Sequence, residues 1–282
     1  FGIFFLIIFL LYFTFLITFE NKDILLNTLN RWYVFIFGAV VLCIISYLDD
    51  IKSIDPKLRL LVQLITIYFS ITNLDSSSID LPIKIKFFIL IFVWIYILNI
   101  TNFIDGSDGF LSSQSIYFFT SVCALTYLTN VSIYSAYIAL MILPILVGFI
   151  IVNAPFAKIY MGDAGSIFLG FLIGFSFLEI CLEGYYFYAF AIYAYPLTDC
   201  SIMLTKEFVN GKMPWVRLSD YFFLKPIIKN KNNQKFVFYS FNFFLFINFI
   251  ITTTSLIYKN EYILIFSYIF SLTLCFAYWK KH

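Results

Sequence analysis

The sequence predicts an all-α fold, a polytopic helical membrane protein with about ten transmembrane helices. Three observations lead there. Hydrophobic residues make up 62% of the chain and charged residues only 12%, against roughly a quarter charged in an average soluble domain. Apolar runs close to the roughly 20 residues that span a bilayer recur along almost all of the 282 residues, broken by short polar links. The runs are continuously apolar rather than alternating, which favours helices over barrel strands. A single integral-membrane domain over residues 1–282 follows, with no soluble domain left over.

The spans centre near residues 11, 41, 66, 95, 120, 143, 173, 194, 247 and 270. The first, FGIFFLIIFLLYFTFLITF, has neither a methionine nor a basic region before it, which reads as N-terminal truncation. The spans near 41 and 66 are joined by LDDIKSID, those near 95 and 120 by NFIDGSDGF, and those near 143 and 173 by NAPFAKIYMGDAGS. Thr129 to Ser132 makes a minimal link. Pro196 predicts a kink in the span near 194, beside Asp199, a carboxylate expected to bond a neighbouring helix. The longest loop, 205–235, leads into the last two spans.

Alternating the spans across a bilayer puts 49–59, 102–110, 153–165, 205–235 and the C-terminal tail on one side. That side holds 13 Lys and Arg residues and the other 5, so the positive-inside rule makes it cytoplasmic. All three polar motifs land on this face. Net charge is only +2 with the lysines scattered, which argues against nucleic acid as a partner. The five cysteines have no metal or disulfide spacing and read as core residues. The one histidine, His282, is at the chain end, so no His-based triad or zinc site can be built.

Carboxylates near membrane depth are costly, yet Asp49, Asp50, Asp55, Asp105, Asp108 and Asp163 all sit where apolar spans meet the cytoplasm. Hard cations such as magnesium take such oxygen ligands. Asp105 and Asp108 share a face if the flanking helix continues through them, and Gly106 and Gly109 allow close approach; the other reading is a polar cap with turn glycines. Asp49 and Asp50 point about 100° apart in a continuous helix, so both serve one site only at a fraying end. Asp163 is either an N-cap or a metal ligand beside a helix N-terminus that attracts phosphate. Tyr160 is an interfacial tyrosine or a ring that stacks on a base. Lys57 and Arg59 either meet phosphate or set topology.

Taken together, YLDDIKSIDPKLRLLVQ, NFIDGSDGF and NAPFAKIYMGDAGSIFLG resemble, in order, three motifs of the polyprenyl-phosphate N-acetylhexosamine-1-phosphate transferases, which include the peptidoglycan precursor translocase and the initiators of O-antigen synthesis. The resemblance implies that Asp163 binds magnesium, with manganese as an alternative ion, and that Asp49 and Asp50 deprotonate or position a lipid phosphate. It places Lys57 near that phosphate and Asn102, Asp105, Asp108 and Asn153 along the nucleotide-sugar site, with Tyr160 in place of the aromatic that packs on uracil. Two departures stand out. A histidine-bearing motif appears here as GKMPWVRLSDYFFLKP, with Tyr221 and Phe223 in the histidine positions, and FGIFFLIIF resembles the span after a glycine-rich first loop, so that loop and one preceding helix are expected to be missing.

The expected activity is transfer of an N-acetylhexosamine-1-phosphate, of N-acetylglucosamine or 6-deoxy type, from a UDP-sugar to polyprenyl phosphate. UMP is released, at the cytoplasmic face of a bacterial inner membrane, and cell-surface glycan synthesis begins. A homodimer is an open option. The alternatives are a phospho-MurNAc-pentapeptide transferase or an inactive member of the family. A transporter, which also lines a path with acids, should show midplane charges and two related halves, and neither is evident.

Overall fold

The computed structural model describes residues 2–3, 6–11, 22–78, 80–211 and 221–281, with 22–31 and 281 by backbone alone. Among them every regular element is a helix: α1 (Lys22–Ile51), α2 (Pro56–Ser70), α3 (Ile83–Phe103), α4 (Phe110–Thr129), α5 (Ile133–Asn153), α6 (Gly162–Leu182), α7 (Tyr186–Ile192), α8 (Ala194–Val209), α9 (Lys225–Lys229), α10 (Gln234–Tyr258) and α11 (Ile265–Lys281), with short 3₁₀ turns between some of them. Six described segments are long and apolar enough to cross a bilayer: Trp32–Ile51, Ile83–Phe103, Ile133–Asn153, Gly162–Leu182, Lys231–Tyr258 and Glu261–Lys280. The chain is an all-α, multi-pass membrane protein.

The expected count of ten spans is not reached on this measure, and the reasons are local. α2 has only 15 residues. α4 has 20 residues but opens with the buried polar run Ser112 to Ser115. The span expected near 194 is two helices, α7 and α8, that break at Tyr193. Pro196 lies three residues further on and cannot donate back to the Ile192 carbonyl, so the predicted kink is a full break. The span expected near residue 11 is helical at 6–11, and its continuation falls outside the described residues.

α6 is the axis of the bundle, with 94% of its apolar window inside the protein. Lipid competes with protein for apolar side chains, so helices in a membrane approach closely where residues are small. α3 lies against Gly170 and Gly174 of α6: a Cβ at Gly170 would sit 2.8 Å from the Leu98 carbonyl, and one at Gly174 2.3 Å from Trp94 Cδ1. The Trp94 indole N–H donates to the Phe171 carbonyl at 3.1 Å. Phe35 of α1 stacks on Phe171 with ring centres 4.8 Å apart.

At one end of the bundle, Ser78 Oγ donates to the Leu182 carbonyl and Ser132 Oγ to Glu183, each at 2.7 Å, which gathers three of the connections. The turns at 51–56, 103–110 and 153–162 gather at the opposite end, as alternation requires. Within 205–235, α8 runs to Val209 and α9 follows, while 212–220 lies outside the described residues.

Candidate active site

Each acidic motif closes one helix and opens the next, so the site is built from turns held by rigid helix ends. α1 continues as helix to Ile51, and its two terminal aspartates divide between two neighbours. Asp49 accepts from the Ile54 amide at 2.6 Å and from Arg59 of α2. Asp50, one position on, accepts from the amides of Asp163 at 3.2 Å and Ala164 at 3.4 Å, the free N–H groups at the start of α6. The expectation that both aspartates need a frayed helix is thereby corrected, because the 100° between them is what lets one face α2 and the other α6.

Asp163 does not cap its own helix. It stands in the first turn of α6, where Asp50 supplies the capping oxygens, and its carboxylate accepts from Arg59 Nη1 at 3.1 Å. Gly162 precedes it at φ +73°, and a Cβ there would lie 2.9 Å from Asp50 Oδ2. One guanidinium group thus joins the DD motif of α1 to the MGD motif of α6. Arg59 is half-buried, Asp49 is the most enclosed of the three, and Asp163 remains accessible.

Asp105 and Asp108 are not on a continuous helix, because α3 ends at Phe103 and α4 begins at Phe110. The turn between them ends at Gly109, with φ +72° and no room for a Cβ, which would meet Ala154 Cβ at 2.3 Å. Asp108 accepts from the Ala157 amide at 2.8 Å and so anchors the loop before α6. The Asp105 carboxyl is held well above the usual carboxylate range, chiefly by burial and then by the charges of Asp163, Asp50 and Asp108. Four carboxylates therefore share one neighbourhood. Asp55 accepts from the Lys57 amide at 2.8 Å as the cap of α2.

Asn153 is buried, with its oxygen accepting from the Gly109 amide at 3.1 Å and Ser112 Oγ at 2.8 Å and its nitrogen donating to the Ile159 carbonyl at 3.0 Å. It ties the α3–α4 turn to the loop that carries Tyr160. That ring is 70% exposed at the edge of the site. Asn102 accepts from Ser166 Oγ at 2.6 Å, and together with Lys57 and Arg59 it lines a cavity of about 420 Å³ whose remaining walls are mostly apolar. Polar residues that the sequence reading did not single out, Gln63 and Asn99, also line it. Arg59, for which the sequence offers either a phosphate contact or a topology role, faces both the carboxylates and the cavity. Its spacing of four from Gln63 on one helix face was the available signal.

Tyr221 and Phe223 are buried in an aromatic layer, with Phe223 stacked on Phe110 at 4.5 Å and Tyr221 on Phe103 at 6.2 Å. Asp199 holds that segment by accepting from the amides of Phe222 at 2.9 Å and Phe223 at 3.3 Å, along with the Tyr195 hydroxyl at 2.9 Å. Its partners lie in this loop and in its own helix, which corrects the expected bond to a neighbouring helix.

Among the described residues no three His, Cys, Asp or Glu side chains converge as a ready metal cage. The donor set nonetheless fits magnesium, which binds through one or two carboxylates and completes its shell with water and substrate phosphates. Burial, and then the charges of Asp163, Asp50 and Asp108, raise the Asp105 carboxyl, so a divalent cation beside these groups would favour their charged forms.

The sequence profile described as glycosyl transferase family 4 matches residues 32–181, more than half of the chain. The chain belongs to glycosyl transferase family 4. The family-4 match runs from α1 through α6 and contains all nine of the predicted site residues, while the aromatic 221–223 segment lies beyond it. This family-4 chain is 27% identical over 191 residues to a phospho-N-acetylmuramoyl-pentapeptide-transferase of Campylobacter lari, covering 54% of each. It is 30% identical over 145 residues to a probable undecaprenyl-phosphate N-acetylglucosaminyl 1-phosphate transferase of Bacillus subtilis, covering 48% of this chain and 40% of that protein. A third relative, a phospho-N-acetylmuramoyl-pentapeptide-transferase of Clostridium beijerinckii, is 25% identical over 206 residues, 65% of this chain and 63% of its own. The chain spans about half the length of the first two.

Proposed function

We propose that the protein transfers an N-acetylhexosamine-1-phosphate from a UDP-sugar to polyprenyl phosphate at the cytoplasmic face of a bacterial membrane. The observation that carries this reading is the meeting of three acidic turns from separate helices, two joined by Arg59 and the third tied in by Asp108, beside a cavity with mostly apolar walls. Such a site suits an acceptor with a hydrocarbon tail and a donor rich in phosphate. The names of the relatives describe this kind of chemistry.

In this reading the lipid chain occupies the cavity and its phosphate stops at Lys57 and Arg59. Asp49 or Asp50 takes the remaining proton of that phosphate, and the freed oxygen attacks the sugar-bearing phosphorus of the donor. The bond to the UMP oxygen breaks, and UMP leaves with that oxygen. Asn102, Asp105 and Asp108 border the donor, Asn153 holds the loop, and Tyr160 offers a ring to the uracil. Bound magnesium, held by Asp163 with Asp105 close by, would neutralise the charge that gathers on the diphosphate. Catalysis then rests mainly on positioning and electrostatics.

The sugar is N-acetylglucosamine or a 6-deoxy N-acetyl relative, a choice supported by the apolar packing of Tyr221 and Phe223. The names of the Campylobacter and Clostridium relatives support a second reading, in which the donor carries MurNAc-pentapeptide. Membranes holding the full-length protein, given polyprenyl phosphate, magnesium and a panel of labelled UDP-sugars, decide between them by the mass of the lipid product. A lipid diphosphate bearing N-acetylhexosamine is expected. A MurNAc-pentapeptide product selects the second reading, and no lipid product from any donor overturns both.

A further inference from the structure

The acidic turns are joined to the cavity by three hydrogen bonds that close a triangle. α2 supplies Arg59 and Gln63, α3 supplies Asn99 and Asn102, and α6 supplies Asp163 and Ser166; each pair is three or four positions apart, so both members share a helix face. Arg59 donates to Asp163 at 3.1 Å, Asn99 to Gln63 at 3.1 Å, and Ser166 to Asn102 at 2.6 Å, one bond for each pair of helices. Two of these sides contain a residue already placed in the site. The third, Gln63 with Asn99, lies a helical turn from Arg59 in the cavity wall.

Gln63 is more than nine-tenths buried. Its oxygen accepts from Asn99, whose nitrogen also donates to the Ile95 carbonyl at 2.9 Å. The Gln63 amide nitrogen and the Asn99 oxygen remain for a ligand, as a polar band in a wall otherwise dominated by leucine, isoleucine and phenylalanine. Hydrocarbon drawn across that band would leave amide groups unpaired, which costs free energy. A phosphate drawn past it would leave the cationic pair Lys57 and Arg59.

We infer that Gln63 and Asn99 are a positioning pair that sets the depth of the lipid phosphate, with the ester oxygen at the amide band, the remaining oxygens at Lys57 and Arg59, and the chain below. The inference rests on the transferase reading above. The full-length protein with Gln63→Leu or Asn99→Leu should show a KM for polyprenyl phosphate raised about tenfold, with the KM for UDP-sugar unchanged. The milder Gln63→Asn, which shortens one side of the contact by a methylene, should raise the lipid KM as well. Adding Asn99→Gln to it restores the combined length and should return the lipid KM to within about threefold of wild type. An unchanged lipid KM in these variants, or both KM values rising together with no recovery in the swapped protein, overturns the inference while wild-type transfer stands. Wild-type protein that transfers no sugar phosphate overturns the reading beneath it as well.

Discussion

Arg59 bridges two carboxylates of different helices, Asp49 of α1 and Asp163 of α6. A guanidinium carries five donors in a fixed plane, whereas a lysine ammonium acts as a point charge, so Arg59→Lys is not conservative here. Under the proposed function, Arg59→Leu should raise the KM for polyprenyl phosphate and lower turnover by roughly tenfold to a hundredfold, with Arg59→Lys between it and wild type, as read by steady-state UMP release. Asp105 gives the pH dependence. Its raised folded-state value means the protein binds more protons at this position than the unfolded chain does, starting from about pH 4 where an unperturbed aspartate ionises. Stability contributed by protonated Asp105 is therefore present at low pH and lost as pH rises through the raised value. Thermal unfolding in detergent without divalent ions should show that loss, and Asp105→Asn should remove it while weakening magnesium affinity. The sequence exposed every one of these acids as membrane-edge carboxylates. It did not reveal how they divide, because whether Arg59 reaches Asp163 and whether Asp50 meets an α6 amide are set by helices more than a hundred residues apart.

Helix packing explains why the acidic turns keep their places. α6 lies at the centre with α3 against its glycine face, and a side chain at Gly174 would run into the Trp94 ring. Gly174→Val should overpack this contact and cost about 1–3 kcal/mol, seen as a lower midpoint in thermal unfolding of the detergent-solubilised protein. Gly109 is a different case, since its positive φ and its contact with Ala154 both exclude a side chain. Gly109→Ala should displace the loop before α6 and reduce transfer with a smaller effect on that midpoint. Continuous apolar runs and the polar links between them were legible from hydropathy alone. The break at Tyr193 and the shortness of α2 were not, since a hydropathy window averages over the one or two residues where a helix ends.

Across the whole molecule, topology and chemistry agree: alternating helices bring three motifs, each acidic and each glycine-bearing or lysine-flanked, to one end of the bundle. Under the proposed function that end is cytoplasmic, a reading the charge bias of the loops supports. A cysteine introduced at Ser53 should react with an impermeant maleimide only in inverted vesicles, and one at Ser76 only in right-side-out vesicles; the reverse pattern would invert the assignment. The family was legible because its motifs are short, local and ordered. The donor sugar was not, because its choice depends on side chains gathered from loops far apart in the chain. The most direct test of the account is magnesium-dependent exchange of labelled UMP into UDP-sugar by the full-length protein in the presence of polyprenyl phosphate. Asp163→Asn, properly folded, should lose exchange by roughly a thousandfold, a few kcal/mol of lost charge stabilisation; exchange at the wild-type rate would contradict a site organised around that carboxylate.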